Sequence, residues 1–129
     1  MANPNIVNVA SIYGTSLGFH LTATLTTTLI TVSSGFVLKI NSILVVNVDG
    51  TNAANVDVSV VKLNVTPAGI TDLDTSGTFY LAKTVSVPAD DILVLIDKPI
   101  YIMETDVIKG GASAASDLDM FITYEVIAV

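Results

Sequence analysis

The feature that most constrains the fold is the division of the chain into short β-branched runs separated by turn residues. The run FHLTATLT (residues 19–26) alternates apolar and polar side chains, which is the pattern of a half-buried strand. Turn residues recur about every 8 to 12 positions, and no stretch keeps the apolar stripe of a helix. The other runs occupy residues 6–13, 36–48, 55–65, 78–87, 92–97, 100–105 and 118–129.

This spacing predicts an all-β fold, a single antiparallel β-sandwich of the jelly-roll or immunoglobulin-like kind, with eight or nine strands and at most one helical turn. The chain has 129 residues, the size of one domain, so we expect residues 1–129 to form one sandwich. Residues 1–14 are expected as its first strand or as a docking arm that adds a strand to a neighbour's sheet. The candidate partner contacts in this segment are Ile6, Val7, Val9, Ile12 and Tyr13.

Two runs, SILVVNV (42–48) and ILVLI (92–96), are apolar at almost every consecutive position. Both faces of such strands must leave water, whereas a two-layer sandwich buries only one face of each sheet. Two covers for the second face are compatible with the sequence. One is a loop or the N-terminal segment of the same chain, and the other is a subunit interface in a homo-oligomer.

Composition excludes several classes of function. The apolar runs are far shorter than the roughly 20 residues of a membrane-spanning helix, and the N-terminus lacks the basic region of a secretory signal. The absence of cysteine excludes disulfides, thiolate metal sites and thiol nucleophiles. A net charge of −7 without any Arg opposes binding to a phosphate backbone. We therefore expect neither a membrane nor a nucleic acid as partner.

The segment NVDGTNAANVD concentrates oxygen-bearing side chains and suggests a calcium loop. When Gly50 is aligned with the glycine of the calcium-loop template, Val45 and Val56 fall at its first and last ligand positions, so the template fails. Asp, Gly and Asn tolerate the positive φ angles of tight connections. The segment is therefore predicted to be a β-hairpin turn between two alternating strands.

The longest polar connection, TPAGITDLDTSG (66–77), contains Asp72 and Asp74. These two carboxylates are weak candidates for holding a hard cation, and the alternative is a solvated hairpin tip. No other metal ligands are predicted, and no cofactor is expected. Gly110-Gly111 lacks the spacing of a phosphate-binding loop and is predicted to be a turn.

Catalysis is not indicated. The acidic pairs Asp90-Asp91 and Asp117 with Asp119 could suggest glycosidase carboxylates, but the chain has no Trp and only 6% aromatic residues to hold a sugar. Acids at strand starts serve instead to discourage edge-to-edge aggregation. His20 is the single histidine, and no G-x-S-x-G nucleophile motif is present. We predict that the protein is not an enzyme.

Residues 36–127 carry a series of motifs that resembles the small virion proteins of tailed phages infecting marine cyanobacteria. The resemblance implies β-sandwich subunits that add to a capsid or a tail, often as oligomers, and it implies no catalytic site. In chain order the motifs are NVDGTNAA (47–54), AKTVSVPA (82–89), IDK (96–98), GASAASDL (111–118) and YEVI (124–127).

From these features we expect a virion structural protein that decorates or cements the outer capsid surface. Its expected partners are further copies of itself, as a homo-oligomer and specifically a trimer, and the major capsid protein or another virion protein. The alternative is a tail or baseplate component that contacts the host through residues 66–77. Subunit contacts of the standard interface size would suffice for either role without any chemistry.

Overall fold

The computed structural model describes residues 11–63 and 76–128. None of these residues is helical, so this part of the chain holds no helix that could cross a membrane. Its nine strands are β1 (Ser11–His20), β2 (Thr27–Thr31), β3 (Phe36–Asn47), β4 (Ala54–Lys62), β5 (Gly77–Val87), β6 (Ile92–Ile96), β7 (Ile100–Ile102), β8 (Val107–Ala112) and β9 (Leu118–Ala128).

The strands form two antiparallel sheets that pack face to face. The front sheet has the order β1-β9-β3-β6, with β7 also pairing with β3, and the back sheet has the order β2-β8-β4-β5. The pairs β4–β5, β3–β6, β2–β8 and β1–β9 are nested in the sequence, as in a long hairpin wrapped into a sandwich. The predicted all-β sandwich is confirmed, and the nested pairing is that of the jelly-roll alternative.

The core lies between the sheets and is built from aliphatic side chains at alternate strand positions. Each fully buried Val, Leu or Ile stabilises the fold by about 1.5–3 kcal/mol relative to an exposed one. The fully buried aliphatic residues include Ile40, Ile43 and Val45 of β3, Val56 and Val58 of β4, Ile108 of β8, and Leu118 and Ile122 of β9.

The predicted strand over residues 19–26 is wrong beyond His20, where β1 ends. The chain leaves the front sheet there, and Leu21 is buried in the core while Leu25 is 40% exposed. The threonines bond locally: the Thr27 hydroxyl donates to the Thr24 carbonyl at 2.9 Å and lies 3.0 Å from the Thr22 hydroxyl. Threonine side chains that satisfy nearby backbone groups compete with strand pairing, which the alternation of apolar residues does not reveal.

Gly110 and Gly111 were predicted as a turn, but they lie inside β8. A Cβ added to Gly110 would lie 2.7 Å from the carbonyl oxygen of Asp57, and one added to Gly111 would lie 2.7 Å from the Cα of Leu25. Only glycine allows other backbones to approach β8 this closely. The pair therefore marks a crowded strand.

The hairpin predicted at NVDGTNAA is also wrong, although the segment is a turn. β3 lies in the front sheet and β4 in the back sheet, so residues 48–53 cross from one sheet to the other. The residues that favour tight turns occur in both kinds of connection. Turn chemistry alone does not distinguish a hairpin from an inter-sheet crossing.

Candidate assembly surface

β1 is the edge strand of the front sheet and is exposed along nearly its whole length. It pairs with β9 in one unbroken register from Ser11 opposite Ala128 to His20 opposite Asp119. No other described strand pairs with it, so the backbone groups on its outer side have no partner strand within residues 11–63 and 76–128. An exposed, regular edge of ten residues is a template for pairing with another strand.

The direction of the β1 backbone groups follows from one hydrogen bond just beyond its end. The Leu21 N–H donates to the Leu118 carbonyl at 3.0 Å, and the β1–β9 register makes these two residues direct neighbours. In an antiparallel pair, successive residues alternate between bonding the partner strand and pointing away from it. Odd-numbered residues of β1 therefore bond β9. The groups that point to the free edge belong to Ile12, Gly14, Ser16, Gly18 and His20.

Gly14 and Gly18 have no evident role inside the subunit. Neither has a positive φ, and a Cβ at Gly14 would meet nothing within 4 Å. A Cβ at Gly18 would make an ordinary contact of 3.6 Å with the Phe121 ring. Glycine within a strand costs about 0.5–1 kcal/mol relative to Ala and often marks the close approach of another backbone. With Ser16 between them, the free edge is lined by small residues.

Charge is absent from the part of the sequence that contains β1. The first Asp, Glu, Lys or Arg of the chain is Lys39, and all twelve acidic residues follow it. This asymmetry is visible in the sequence alone and marks residues 1–38 as a segment without acidic or basic side chains other than His20. Natural edge strands are usually protected from pairing by charged residues or Pro, and β1 has neither.

The outer face of the front sheet carries an exposed apolar patch, the outer-face patch, formed by β6, β3 and β9. Ile92, Val94 and Phe121 are each about half exposed, so none of the residues in 11–63 and 76–128 fully covers this face of β6. The two covers expected from the sequence, a segment of the same chain and a subunit interface, both stay predictions. Register places the five members side by side: Ile92 beside Val46, and Val94 beside Leu44, which neighbours Phe121.

An opening of about 240 Å³ lies between β1 and the back-sheet strand β2. It is lined in part by Tyr13, Phe36 and Tyr124 on the front-sheet side and by residues 30–33. Tyr13 is 52% exposed although its side chain is on the inner face, so β2 covers it only in part. Burial, and to a lesser degree the nearby Tyr13, raises the pKa of Tyr124 above its usual value of 10. The inner face of the front sheet is therefore incompletely covered at this edge.

His20 and Asp119 come together at the end of β1, with Nδ1 and Oδ1 2.7 Å apart. They border an opening of about 260 Å³ that also touches the outer-face patch through Val46 and Phe121. None of the described residues lining this opening carries a hydroxyl or thiol. His20 is 90% exposed, which is typical of a surface contact of small energetic weight.

In the segment that suggested a calcium loop, the polar side chains form hydrogen bonds with nearby groups of the protein. Asn47 donates to the Asn52 and Val87 carbonyls at 2.9 Å, and its Oδ1 accepts the Asp49 N–H. The Thr51 N–H, with help from Asn52, holds the pKa of Asp49 below its usual range. Within residues 11–63 and 76–128 no group of three acidic or histidine side chains is arranged to bind a metal. The oxygens stabilise a turn.

Three of the motifs quoted for the phage resemblance meet at this end of the sandwich. The Asn47 side-chain amide of the first donates to the Val87 carbonyl of the second, and the bonds to Asp117 and Ser113 reach the GASAASDL motif (111–118). The Asn47 N–H donates to the Asp91 carbonyl, and the Val48 N–H donates to the Asp117 carbonyl. Asn55 and Ser113 exchange two further hydrogen bonds. The motifs are thus joined into one network of turns. The acids Asp91 and Asp117, considered above for catalysis, use their carbonyls within it.

Three buried acidic residues have structural roles that were not predicted from the sequence. Asp106 is 3% exposed and binds the Lys62 ammonium at 2.7 Å, and Glu104 accepts the Gly35 N–H at 2.7 Å. Asp57 accepts the Thr84 N–H at 2.8 Å in the neighbouring strand β5. No sequence spacing signals these roles, because each partner is more than 20 residues away.

Of the remaining predicted site residues, two lie within the described residues and five lie outside them. Ile12 and Tyr13 belong to β1, where they are 58% and 52% exposed and paired with β9. Their role as partner contacts stays a prediction. The candidates Ile6, Val7, Val9, Asp72 and Asp74 lie outside the described residues.

No protein-family model matches the chain, and no curated protein matches it. Among solved structures it is similar to the NLP core of Drosophila, studied for pentamer formation and histone binding, with 16% identity, coverage of 88% of this chain and 96% of that one, and a TM-score of 0.43. It is also similar to a chain of the disulfide-linked pili of Bacillus endospore appendages, with 12% identity, coverage of 92% and 88%, and a TM-score of 0.44.

A third similar structure is the T13 viral particle of IBDV, an icosahedral virus. The identity is 10%, the match covers 92% of this chain and 31% of that one, and the TM-score is 0.46. At these identities and TM-scores, the three likenesses add nothing to what the chain's own geometry indicates.

Proposed function

We propose that the protein is a non-enzymatic structural subunit of a tailed-phage virion, which decorates or cements the outer capsid surface as a homo-oligomer. The observation that carries this proposal is the outer-face patch, formed by Leu44, Val46, Ile92, Val94 and Phe121. Contiguous exposed apolar surface on a soluble domain marks an interaction site. The motif resemblance supports a virion as the place where this surface is covered.

The mechanism is the burial of surface between rigid β-sandwiches. An interface of about 1,600 Å² in total holds two proteins together by apolar contact and main-chain hydrogen bonds. The patch lies on three strands of the front sheet that pair with one another, so its backbone is held in place before binding. A preformed surface loses less conformational entropy on association than a flexible loop would.

Binding of purified chain to capsids that lack it tests this proposal. Val94→Ser in the outer-face patch should weaken binding to the major capsid protein. Val48→Ser is the matched control, because Val48 is also 52% exposed but lies in the turn after β3. Equal binding of the two variants would show that the patch is not the contact.

The number of copies of the protein per particle tests where in the virion it is located. Hundreds of copies, measured by quantitative mass spectrometry of purified particles, are expected for a capsid decoration protein. A few dozen copies or fewer would contradict the capsid role and favour the tail or baseplate alternative. The trimeric state expected from the sequence is an alternative to the two-fold pairing inferred below, and the mass of the purified protein distinguishes the two.

A further inference from the structure

We infer that the free edge of β1 pairs with β1 of a second copy, antiparallel and across a two-fold axis, so that the two front sheets become one continuous sheet. This inference rests on the self-association in the proposed function and not on the virion. It names the surface through which two copies meet.

The first support is that β1 has the features of a strand built to be paired. Its ten residues are regular, uncharged and exposed, and its outward backbone groups have no partner among the described residues. Gly14 and Gly18 flank this edge without an internal packing role. Their small size permits another backbone to approach.

The second support is electrostatic and selects a copy of the same chain. Two molecules with a net charge of −7 repel each other, so they associate most easily where neither carries charge. β1 lies in the only long stretch without Asp, Glu, Lys or Arg, residues 1–38. A basic partner would instead be expected to bind the part of the surface that carries the acidic residues.

The third support is the fit of β1 to itself. With Ser16 on the two-fold axis, Ile12 faces His20 and Gly14 faces Gly18 of the second copy, and all these residues point their N–H and C=O groups to the free edge. Five such pairs exchange about ten hydrogen bonds, the number found in a typical specific interface.

The same register also serves the side chains on the inner face. Tyr13 falls opposite Phe19 of the second copy, and Thr15 falls opposite Leu17. Tyr13 and Leu17 are 52% and 39% exposed in the single subunit. Aromatic and apolar pairs across neighbouring strands stabilise a sheet, so pairing would give these residues the contacts that they lack.

Cysteine cross-linking tests the axis directly, since the natural chain has no cysteine. In Ser16→Cys the two Cα atoms would be about 5.5 Å apart, within the range that a disulfide spans. Mild oxidation of the native protein should convert this variant to a covalent dimer. Ser86→Cys is the control, an exposed serine on the opposite edge strand β5, and it should stay largely uncross-linked.

A second variant tests the same contact by introducing a charge on the two-fold axis. Ser16→Glu would place two carboxylates against each other on the axis and should raise the dimer Kd by about tenfold or more, whereas Ser86→Glu should leave it unchanged. Sedimentation of the purified chains gives the masses, and circular dichroism checks that both variants keep the fold.

A dimeric mass, with selective cross-linking at position 16, would support the inference. A monomer at sub-millimolar concentration, a trimer, or equal cross-linking of Ser16→Cys and Ser86→Cys would overturn it. The capsid-binding comparison of Val94→Ser and Val48→Ser is independent of these outcomes. Failure of β1 pairing is therefore distinguishable from failure of the proposed function.

Discussion

The two long edge strands, β1 and β5, have similar lengths, but only β5 has features that hinder pairing with a strand of another molecule. β1 keeps one register with β9 and carries no charge. β5 shifts register twice against β4, and its Thr84 has a φ of 53°. The Lys83 ammonium of β5 lies 4.9 Å from the centre of the Tyr80 ring, so a positive charge sits at that edge.

This difference shows that exposure alone does not make an edge available. Bulges bend and twist a strand so that a straight partner cannot follow it, and a charged side chain must be desolvated before pairing. β5 has both obstacles, and the buried carboxylate of Asp57 holds the irregular Thr84 in place. β1 has neither obstacle, which is why we assign the interface to the front sheet.

The sharpest test of the β1 edge uses proline at two adjacent positions. Thr15→Pro removes an N–H that bonds β9 and should lower the free energy of unfolding by about 1–3 kcal/mol. Ser16→Pro removes an N–H that points to the free edge, where Pro is tolerated, so it should abolish the dimer with a much smaller loss of stability. Urea unfolding at low protein concentration and sedimentation measure the two effects.

Similar destabilisation by both prolines would contradict the alternation of bonded and free residues along β1. A Ser16→Pro protein that remains dimeric would show that the edge is not the interface. The two positions are adjacent on one exposed strand, so each serves as the control for the other.

Much of the fold could be predicted because several strands are long uninterrupted β-branched runs. Residues 55–65 were predicted as a strand and β4 spans Ala54–Lys62, and residues 78–87 correspond closely to β5. β8 was missed because VIKGGA contains two glycines, whose signal for a turn is the same as that for close backbone approach. Local sequence does not show which neighbour will approach.

The candidate surface was predictable only in part. The consecutive apolar residues of ILVLI indicated that β6 needs a cover on its second face, and Ile92 and Val94 on that face are about half exposed in the single subunit. The free edge depends on strand order, which follows from pairings between distant segments such as Ser11 with Ala128. The register of β1 also decides which groups face outward, and one residue of slip would reverse it.

The contribution of Asp57 to the irregular geometry of β5 can be tested by removing its side chain. Asp57→Ala leaves the Thr84 N–H without its acceptor inside the bulge and should cost about 1–3 kcal/mol of unfolding free energy. It should also increase hydrogen exchange along β5 while exchange along β1 stays unchanged. Ser59→Ala is the control, since Ser59 is a buried polar residue of the same strand. Equal loss of stability in both variants would argue against a specific role for Asp57.

The register of the β1 pair can be tested with charges at its two glycines. Gly14→Lys with Gly18→Glu would place opposite charges across both Gly14–Gly18 contacts of the dimer, each worth about 0.2–1 kcal/mol. This double variant should dimerise about twofold to thirtyfold more tightly than the like-charged control Gly14→Lys with Gly18→Lys. Equal dimer affinities in sedimentation would rule out this register, because the paired positions would not be adjacent.

The smallest expected effect concerns Tyr124, on the inner face beside β1. Its pKa is raised mainly by burial and in part by Tyr13, so the neutral phenol is favoured in the folded state. The unfolded chain loses this proton first as the pH rises. The contribution to stability is therefore full below pH 10 and is lost as the pH rises through the folded pKa.

Absorbance titration of the tyrosines should show one that ionises late, and Tyr124→Phe should remove that step. Tyr13→Phe should lower the pKa of Tyr124 slightly, because it removes the neighbouring phenolate while leaving the burial intact. If β1 pairs with a second copy, Tyr13 and the opening beside Tyr124 become more covered, so the late step should move to higher pH as protein concentration increases. The Ser16→Glu variant should lose this concentration dependence, and its persistence there would place the cover of Tyr124 somewhere other than the β1 edge.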